Sequence, residues 1–127
     1  MNRIIPDTNF LIYLVRFKLL DKMENYREIL LLKQVLAELV VLSKSKGEKI
    51  VDRERAGIAL QFLEKIGKKV KFVNDIDSKA DDAILELGMK EKKTAIAGTM
   101  DKELIKRLKK EGLNVLMIRQ KKYLEER

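Results

Sequence analysis

The sequence predicts a three-layer α/β/α fold, in which helices cover both faces of a parallel sheet. Short apolar runs alternate with longer amphipathic segments along the chain, and glycines follow most of the amphipathic segments. Parallel strands need a crossover, usually a helix, so this alternation is typical of a sheet buried on both faces. No linker, repeat or low-complexity tract divides the 127 residues, and we expect one domain over residues 1–127.

Five segments have the apolar or alternating pattern of strands. The first ends at Pro6, and the second is short enough that its apolar run is also compatible with a helix. The third alternates polar and apolar residues, whereas the last two are mainly continuous apolar runs. The predicted strands are residues 3–6, 27–32, 69–73, 94–98 and 115–118.

Helical periodicity covers the segments between these strands. The first helix is expected from Phe10 through Val15 and onward. The others are residues 33–46, 52–66, 78–87 and 102–111, which we expect to end at Gly47, Gly67, Gly88 and Gly112. Ile58 and Phe62 lie on the outer side of their helix and are candidates for a homodimer contact.

The composition restricts the chemistry, because the chain has no histidine and no cysteine. Imidazole-based and thiolate-based catalysis and Cys- or His-ligated zinc are therefore excluded. Carboxylates remain, and their oxygens suit Mg²⁺ or Mn²⁺, which can activate a bound water. If the protein is an enzyme, metal-assisted hydrolysis is the reaction its residues permit.

Charge and hydropathy indicate the partners. The formal net charge of +8 favours binding to polyanions such as RNA or DNA, although solubility is an alternative explanation of the same charge. The longest apolar run, residues 10–15, is far too short to cross a membrane. With no signal peptide visible, we expect a cytoplasmic protein.

Two aspartates follow predicted strands. Asp7 follows the first strand directly, and Asp101 comes three residues after the fourth. Ligands of parallel sheets bind beyond the carboxyl ends of the strands, so both carboxylates would enter one crevice if these strands are neighbours. Aspartate is also a preferred helix N-cap, and either residue would serve that purpose alone.

Three further acids are candidates. Glu38 lies at the margin of the apolar stripe of its helix, where a solvated side chain is also common. In the Asp81–Asp82 pair, Asp81 lies nearer the apolar face, so Asp81 is the favoured metal ligand and Asp82 the second choice. The capping-box pattern that begins at Ser78 offers a purely structural role for Asp81.

Small and basic residues accompany the acids. Thr8, Asn9 and Thr99 would support a metal site or form ordinary turns. A basic helix contains the residues expected to contact RNA phosphates, which are Lys102, Lys106, Arg107, Lys109 and Lys110. Each of these is also explained as a solvated helix face.

Four motifs in order resemble the PIN-domain family of nucleases from about residue 3 to residue 119. They are Asp7-Thr8-Asn9, Val35-Leu36-Ala37-Glu38-Leu39, Ala80-Asp81-Asp82-Ala83-Ile84-Leu85 and Ala97-Gly98-Thr99-Met100-Asp101-Lys102-Glu103-Leu104. The resemblance implies a five-stranded parallel sheet of order 3-2-1-4-5. Asp7, Glu38, Asp81 and Asp101, with Asp82 as a further ligand, would hold one or two Mg²⁺ or Mn²⁺ ions and cleave single-stranded RNA.

The resemblance also implies a biological setting. Family members are toxins of toxin–antitoxin pairs or ribosomal-RNA processing endonucleases, so an antitoxin or a ribosome-assembly factor is an expected partner. The main alternative is a module of the same fold that binds RNA without cutting it. A receiver domain or a haloacid-dehalogenase-type phosphatase would need acidic patterns after the first strand that Asp7-Thr8-Asn9 does not match.

Overall fold

The computed structural model describes residues 2–46 and 50–127. Over these residues six strands form one sheet of order β3-β2-β1-β4-β5-β6, in which the first five are parallel and β6 is antiparallel to β5. The predicted α/β class and strand order are confirmed. The strands are β1 (Arg3–Pro6), β2 (Glu28–Leu32), β3 (Val70–Val73), β4 (Ala95–Gly98), β5 (Val115–Arg119) and β6 (Tyr123–Glu126).

Helices cover both faces of the sheet. Contacts join α1 and α2 to α3 on one side, whereas α4 contacts α5 on the other, as right-handed crossovers require for this strand order. The α-helices in the described ranges are α1 (Thr8–Arg16), α2 (Lys33–Ser43), α3 (Ile50–Lys65), α4 (Ala80–Lys90) and α5 (Lys102–Lys110). Short 3₁₀ segments lie at Leu20–Asn25 and Gly67–Lys69.

Several predicted boundaries need correction. Ser78 does not cap α4, whose N-cap is Lys79 with no side-chain bond; the Gln34 side chain instead binds the carbonyl of Ser78. Gly88 does not end α4 but lies inside it, where a Cβ would be 3.4 Å from the Leu113 side chain. The predicted stop at Gly47 lies outside the described residues, and α2 ends at Ser43.

Strand β6 is an addition to the prediction. It follows a three-residue hairpin loop, residues 120–122, in which Gln120 and Lys121 have left-handed φ values of 52° and 58°. Glycine or asparagine usually marks such a turn, and neither is present in it. At Gly112, by contrast, the predicted helix stop does have a left-handed φ, of +77°.

The first strand is central to the sheet, and its last residue limits one of its two ladders. The amides of Arg3 and Asp7 bond to the carbonyls of Thr94 and Gly98 on the β4 side. Because successive residues of a strand bond to alternate neighbours, the amide position of Pro6 faces β2 and has no hydrogen to donate. Pairing with β2 accordingly ends at Ile4, whereas pairing with β4 continues to Pro6.

A close contact places α1 against the end of β4. The Phe10 ring is fully buried, and a Cβ built on Gly98 would lie 2.7 Å from its Cε2 atom. Only a residue without a side chain allows this approach. The first turn of α1 and the end of β4 therefore meet at the carboxyl edge of the sheet.

The outer surfaces bear on two of the predictions. Ile58 is 48% exposed, as expected for a contact residue, but Phe62 packs partly against the core. The homodimer contact therefore stays a prediction. No helix within the described residues is long and apolar enough to cross a membrane.

Gly98→Ala should lower the free energy of unfolding by about 1–3 kcal/mol, because its methyl group would overlap the Phe10 ring. Gly57→Ala is the matched control: it lies in α3 with nothing within 4 Å of the added Cβ, and should be neutral or stabilising by up to about 1 kcal/mol. Urea unfolding of both variants measures the difference. Equal stabilities would show that the core absorbs the extra methyl group.

Candidate active site

The site is built at the carboxyl ends of β1 and β4. Asp7 follows β1, is only 8% exposed and caps α1, where its Oδ1 accepts from the amide of Thr8 at 2.7 Å. Its own amide donates to the carbonyl of Gly98 at 2.8 Å. The backbone therefore fixes Asp7 against the strand that leads to Asp101.

Thr99 connects the two aspartates. This residue is fully buried, and its Oγ1 donates to Oδ2 of Asp7 at 3.0 Å while accepting from the amide of Asp101 at 3.1 Å. Asp101 caps α5, since its Oδ1 accepts from the amides of Glu103 and Leu104 at 2.9 and 3.1 Å. Capping and a place in the crevice are thus compatible for both aspartates.

Glu38 reaches the same crevice from α2. Its side chain is solvent-exposed, and Oε1 accepts a hydrogen bond of 3.0 Å from Oγ1 of Thr8. Thr8 is itself buried in the first turn of α1. The hydroxyl therefore orients the carboxylate of Glu38 toward the residues at the end of β1.

One cleft of about 510 Å³ brings four of the five predicted metal ligands together. Its polar wall contains Asp7, Glu38, Asp81 and Asp101 with Thr8 and Asn9, and its apolar wall contains Ala37, Val41, Leu42 and Ala80. Sequence reasoning missed the exposed part of the apolar wall. The signal was helical spacing, because Val41 and Leu42 lie three and four residues after Glu38 on α2.

Asp82 is placed differently from the other four acids. Its Oδ1 accepts from Nη2 of Arg107 at 2.6 Å, which joins α4 to α5. The pair lines a neighbouring pocket that shares Ala80 and Asp81 with the cleft. These positions agree with the helical wheel, on which Asp81 lies nearer the apolar face of its helix and Asp82 points away from that face.

The predicted RNA-contact residues form an exposed face of α5. They are Lys102, Lys106, Arg107, Lys109 and Lys110. Besides the bond from Arg107 to Asp82, Lys109 donates to the carbonyl of Arg127 at the chain end. Asp101 is the N-cap of this helix, so the first turn of the helix is next to the acidic cleft.

Burial raises the pKa of Asp7 to about 6, despite the opposing hydrogen bonds from Thr99 and Thr8. The negative charges of Asp81 and Glu38 raise it further. The pKa of Asp81 is also raised, first by partial burial and then by the charge of Asp101, whereas the charge of Arg107 lowers it. The carboxylates thus repel one another across the cleft, and a cation there would favour their ionised forms.

The donor set fits a hard divalent cation. Within residues 2–46 and 50–127 no three carboxylates are close enough together, as the side chains stand, to coordinate one ion. Mg²⁺ usually keeps several waters and binds through only one or two protein carboxylates. Water-bridged binding at the cleft therefore suits both the oxygen ligands and their spacing.

Comparison with known proteins agrees with this fold. The chain matches the PIN like domain family over residues 4–121. It is 36% identical over 131 aligned positions to Ribonuclease VapC4 of Methanocaldococcus jannaschii, which covers 98% of this chain and 96% of that protein. The structure of the PIN domain endonuclease Utp24 has the same fold, with a TM-score of 0.73 at 24% identity over 98% of this chain and 90% of that one.

These matches establish the class of protein. The chain belongs to the PIN-like domain family, as the order of its acidic motifs predicted.

In metal-free protein, Asp7→Asn should raise the free energy of unfolding at pH 8 but not at pH 4. The folded-state pKa of Asp7, about 6, lies above the unfolded value of about 3.9. Protonated Asp7 therefore adds stability that is fully present below pH ~4 and lost as pH rises through about 6. The neutral asparagine escapes this loss, so the variant should exceed wild type by about 2–3 kcal/mol at pH 8.

Urea unfolding in EDTA across this pH range measures the effect. Asp75→Asn, an exposed acid that does not line the cleft, controls for the loss of one charge. A constant difference between Asp7→Asn and wild type from pH 4 to pH 8 would contradict the raised pKa.

Proposed function

We propose that this protein is a metal-dependent endoribonuclease that hydrolyses phosphodiester bonds of single-stranded RNA at the acidic cleft. One observation carries the proposal: four carboxylates from four separate segments line a single cleft where the sheet order reverses. The ribonuclease name of the 36% identical relative supports RNA cleavage over binding alone.

The four acids would approach the ion from different elements of the fold. Asp7 and Asp101, joined through Thr99, form the rigid side of the site, and Glu38 and Asp81 approach from α2 and α4. Together they would hold Mg²⁺ or Mn²⁺, directly or through water. The ion, when bound, supplies positive charge against the scissile phosphate and an acidified water.

Hydrogen bonds within the protein set the ionisation and orientation of these acids. The hydrogen bonds from Thr8 and Thr99 to Asp7 oppose the effect of burial on its pKa, so that at neutral pH the carboxylate is mainly ionised. Thr8 at the same time orients Glu38. The exposed basic face of α5 would bind phosphates of the RNA strand next to the cleft.

The biological role follows from which RNA is cut. We propose that the protein, as a single domain over residues 1–127, is either a toxin held by an antitoxin or an enzyme that processes ribosomal RNA. Mapping RNA 5′ ends in cells that express wild type or Asp7→Asn distinguishes the two. Growth arrest with broad new cleavage supports a toxin, and a single matured ribosomal end supports processing.

Asp7→Asn should reduce cleavage in Mn²⁺ by about a hundredfold or more while the protein stays folded, because it removes the buried carboxylate that would face the ion. The assay follows a labelled single-stranded oligonucleotide, and circular dichroism checks the fold. Asp75→Asn is the matched acid outside the cleft and should retain wild-type activity. Full activity in folded Asp7→Asn would refute the site.

Asp81→Asn should cost more activity than Asp82→Asn, because Asp81 lines the cleft and Asp82 points to Arg107. Both residues are exposed acids in the first turn of α4, so each loses a similar favourable interaction with the helix dipole. Cleavage rates well below both melting temperatures measure the difference. Equal or reversed rates would refute the assignment.

RNA binding in Ca²⁺ should weaken steeply with salt and depend little on base sequence. Lys102→Gln combined with Lys106→Gln should reduce the slope of log affinity against log salt by about 1.4, since each lost phosphate contact on a single strand removes about 0.7. Lys65→Gln with Lys68→Gln removes the same charge before β3, at the opposite edge of the sheet. Equal slopes for the two double variants would mean that net charge alone matters.

A further inference from the structure

The ion pair between Asp82 and Arg107 lies at the rim of the acidic cleft. Its two side chains are about half exposed, at 51% and 44%, and its oxygen–nitrogen distance is 2.6 Å. The pocket beside it is lined by Lys79, Ala80, Asp81, Asp82 and Arg107, and the cleft shares Ala80 and Asp81 with that pocket. The positive charge of the Arg107 guanidinium is also near enough to Asp81 to lower the pKa of its carboxyl group.

A cation at this place addresses a problem that the cleft creates. Four carboxylates repel the phosphates on either side of the bond to be cut, and a metal ion neutralises only its immediate surroundings. Guanidinium has five N–H donors in a planar fork that matches two phosphate oxygens. The bond to Asp82 uses one of these donors and holds the guanidinium beside the first turn of α4.

We infer that Arg107 binds an RNA phosphate adjacent to the scissile one, and that Asp82 positions Arg107 for this contact instead of binding metal. The inference rests on the proposed function and names a subsite within it. Asp82 is then a positioning residue that acts through Arg107. The two adjacent acids thus have different positions, because Asp81 lines the cleft and Asp82 lies at its rim.

A surface ion pair elsewhere provides the comparison. Arg119 bonds to Glu125 at 3.1 Å in the β5–β6 hairpin, with similar exposures of 41% and 37%, and neither residue lines the cleft. Exposed pairs of this kind contribute little to stability. Arg119→Gln therefore removes the same charge from a similar ion pair without touching the rim.

The first measurement is the affinity for a labelled single-stranded oligonucleotide in Ca²⁺ by fluorescence anisotropy. Arg107→Gln should weaken binding about ten- to a hundredfold, as loss of a charge-assisted bond predicts. Arg107→Lys should restore part of that loss, and Arg119→Gln should change affinity less than about threefold. Asp82→Ala should weaken binding about three- to tenfold in wild type and not at all in Arg107→Gln.

The second measurement is Mn²⁺ affinity by calorimetry without RNA. Asp82→Ala should keep the wild-type affinity, whereas Asp81→Asn should reduce it. Cleavage kinetics should then show a raised KM with a nearly unchanged kcat for Asp82→Ala. A purely structural ion pair would instead lower the melting temperature and leave KM unchanged.

Several outcomes would overturn the inference. Weaker Mn²⁺ binding by Asp82→Ala would make Asp82 a metal ligand. Tighter RNA binding by Asp82→Ala, in one background or both, would mean that Asp82 repels RNA or withholds Arg107 from it. Equal losses in Arg107→Gln and Arg119→Gln would reduce the effect to net charge. Absence of cleavage by wild type would refute the proposed function separately, because the anisotropy comparison needs no turnover.

Discussion

The pairing of β1 with β4 is the constraint on which the site depends. These strands are distant in sequence, and their adjacency creates the reversal of strand order where a crevice opens. The bond from the amide of Asp7 to the carbonyl of Gly98 fixes where both strands end. Gly98 in turn leaves room for Phe10, so that α1 starts at the same edge. A shift of either strand by one residue would separate Asp7 from Thr99.

The same arrangement has an energetic cost that is useful only when a cation binds. A nearly buried carboxylate surrounded by other acids destabilises the folded protein at neutral pH, and the raised pKa of Asp7 expresses that cost. The hydroxyl of Thr99 and the backbone amide of Thr8 limit this cost by donating hydrogen bonds to Asp7. Any ligand that binds the folded state alone offsets the rest by mass action. If the cleft binds a metal ion as proposed, stability and metal affinity are linked through this one side chain.

Much of the fold was predictable because its determinants are local. The continuous apolar run of β4 and the helical periodicity of α3 predict these elements without knowledge of distant residues. Asp7 is a candidate site residue because it directly follows a predicted strand. The order 3-2-1-4-5, by contrast, came from resemblance to the PIN family, because spacing alone does not choose which strands pair. The helical wheel predicted only that Asp81 lies nearer the apolar face of α4 than Asp82 does.

Two of the errors arose where distant contacts override the local pattern, and a third arose from an unusual turn. Ser78 looks like an N-cap, but Gln34, 44 residues earlier, binds its carbonyl and the helix starts at Ala80. Gly88 looks like a stop, yet it is the small residue that lets α4 approach the side chain of Leu113. Strand β6 was missed because its hairpin has left-handed lysine and glutamine in place of glycine.

The distribution of charge explains how a basic protein can have an acidic centre. Long-range attraction depends on the net charge of +8, which draws a polyanion toward the whole surface. At contact distance the electrostatic interaction becomes repulsive, because carboxylates line the cleft itself. Helix α5 connects the acidic cleft to the basic surface, because its N-cap, Asp101, lines the cleft and the helix itself has an exposed basic face. Under the proposed function, an RNA strand lying along that helix would be held by basic side chains up to the rim, and only the phosphate that enters the cleft would require a metal ion.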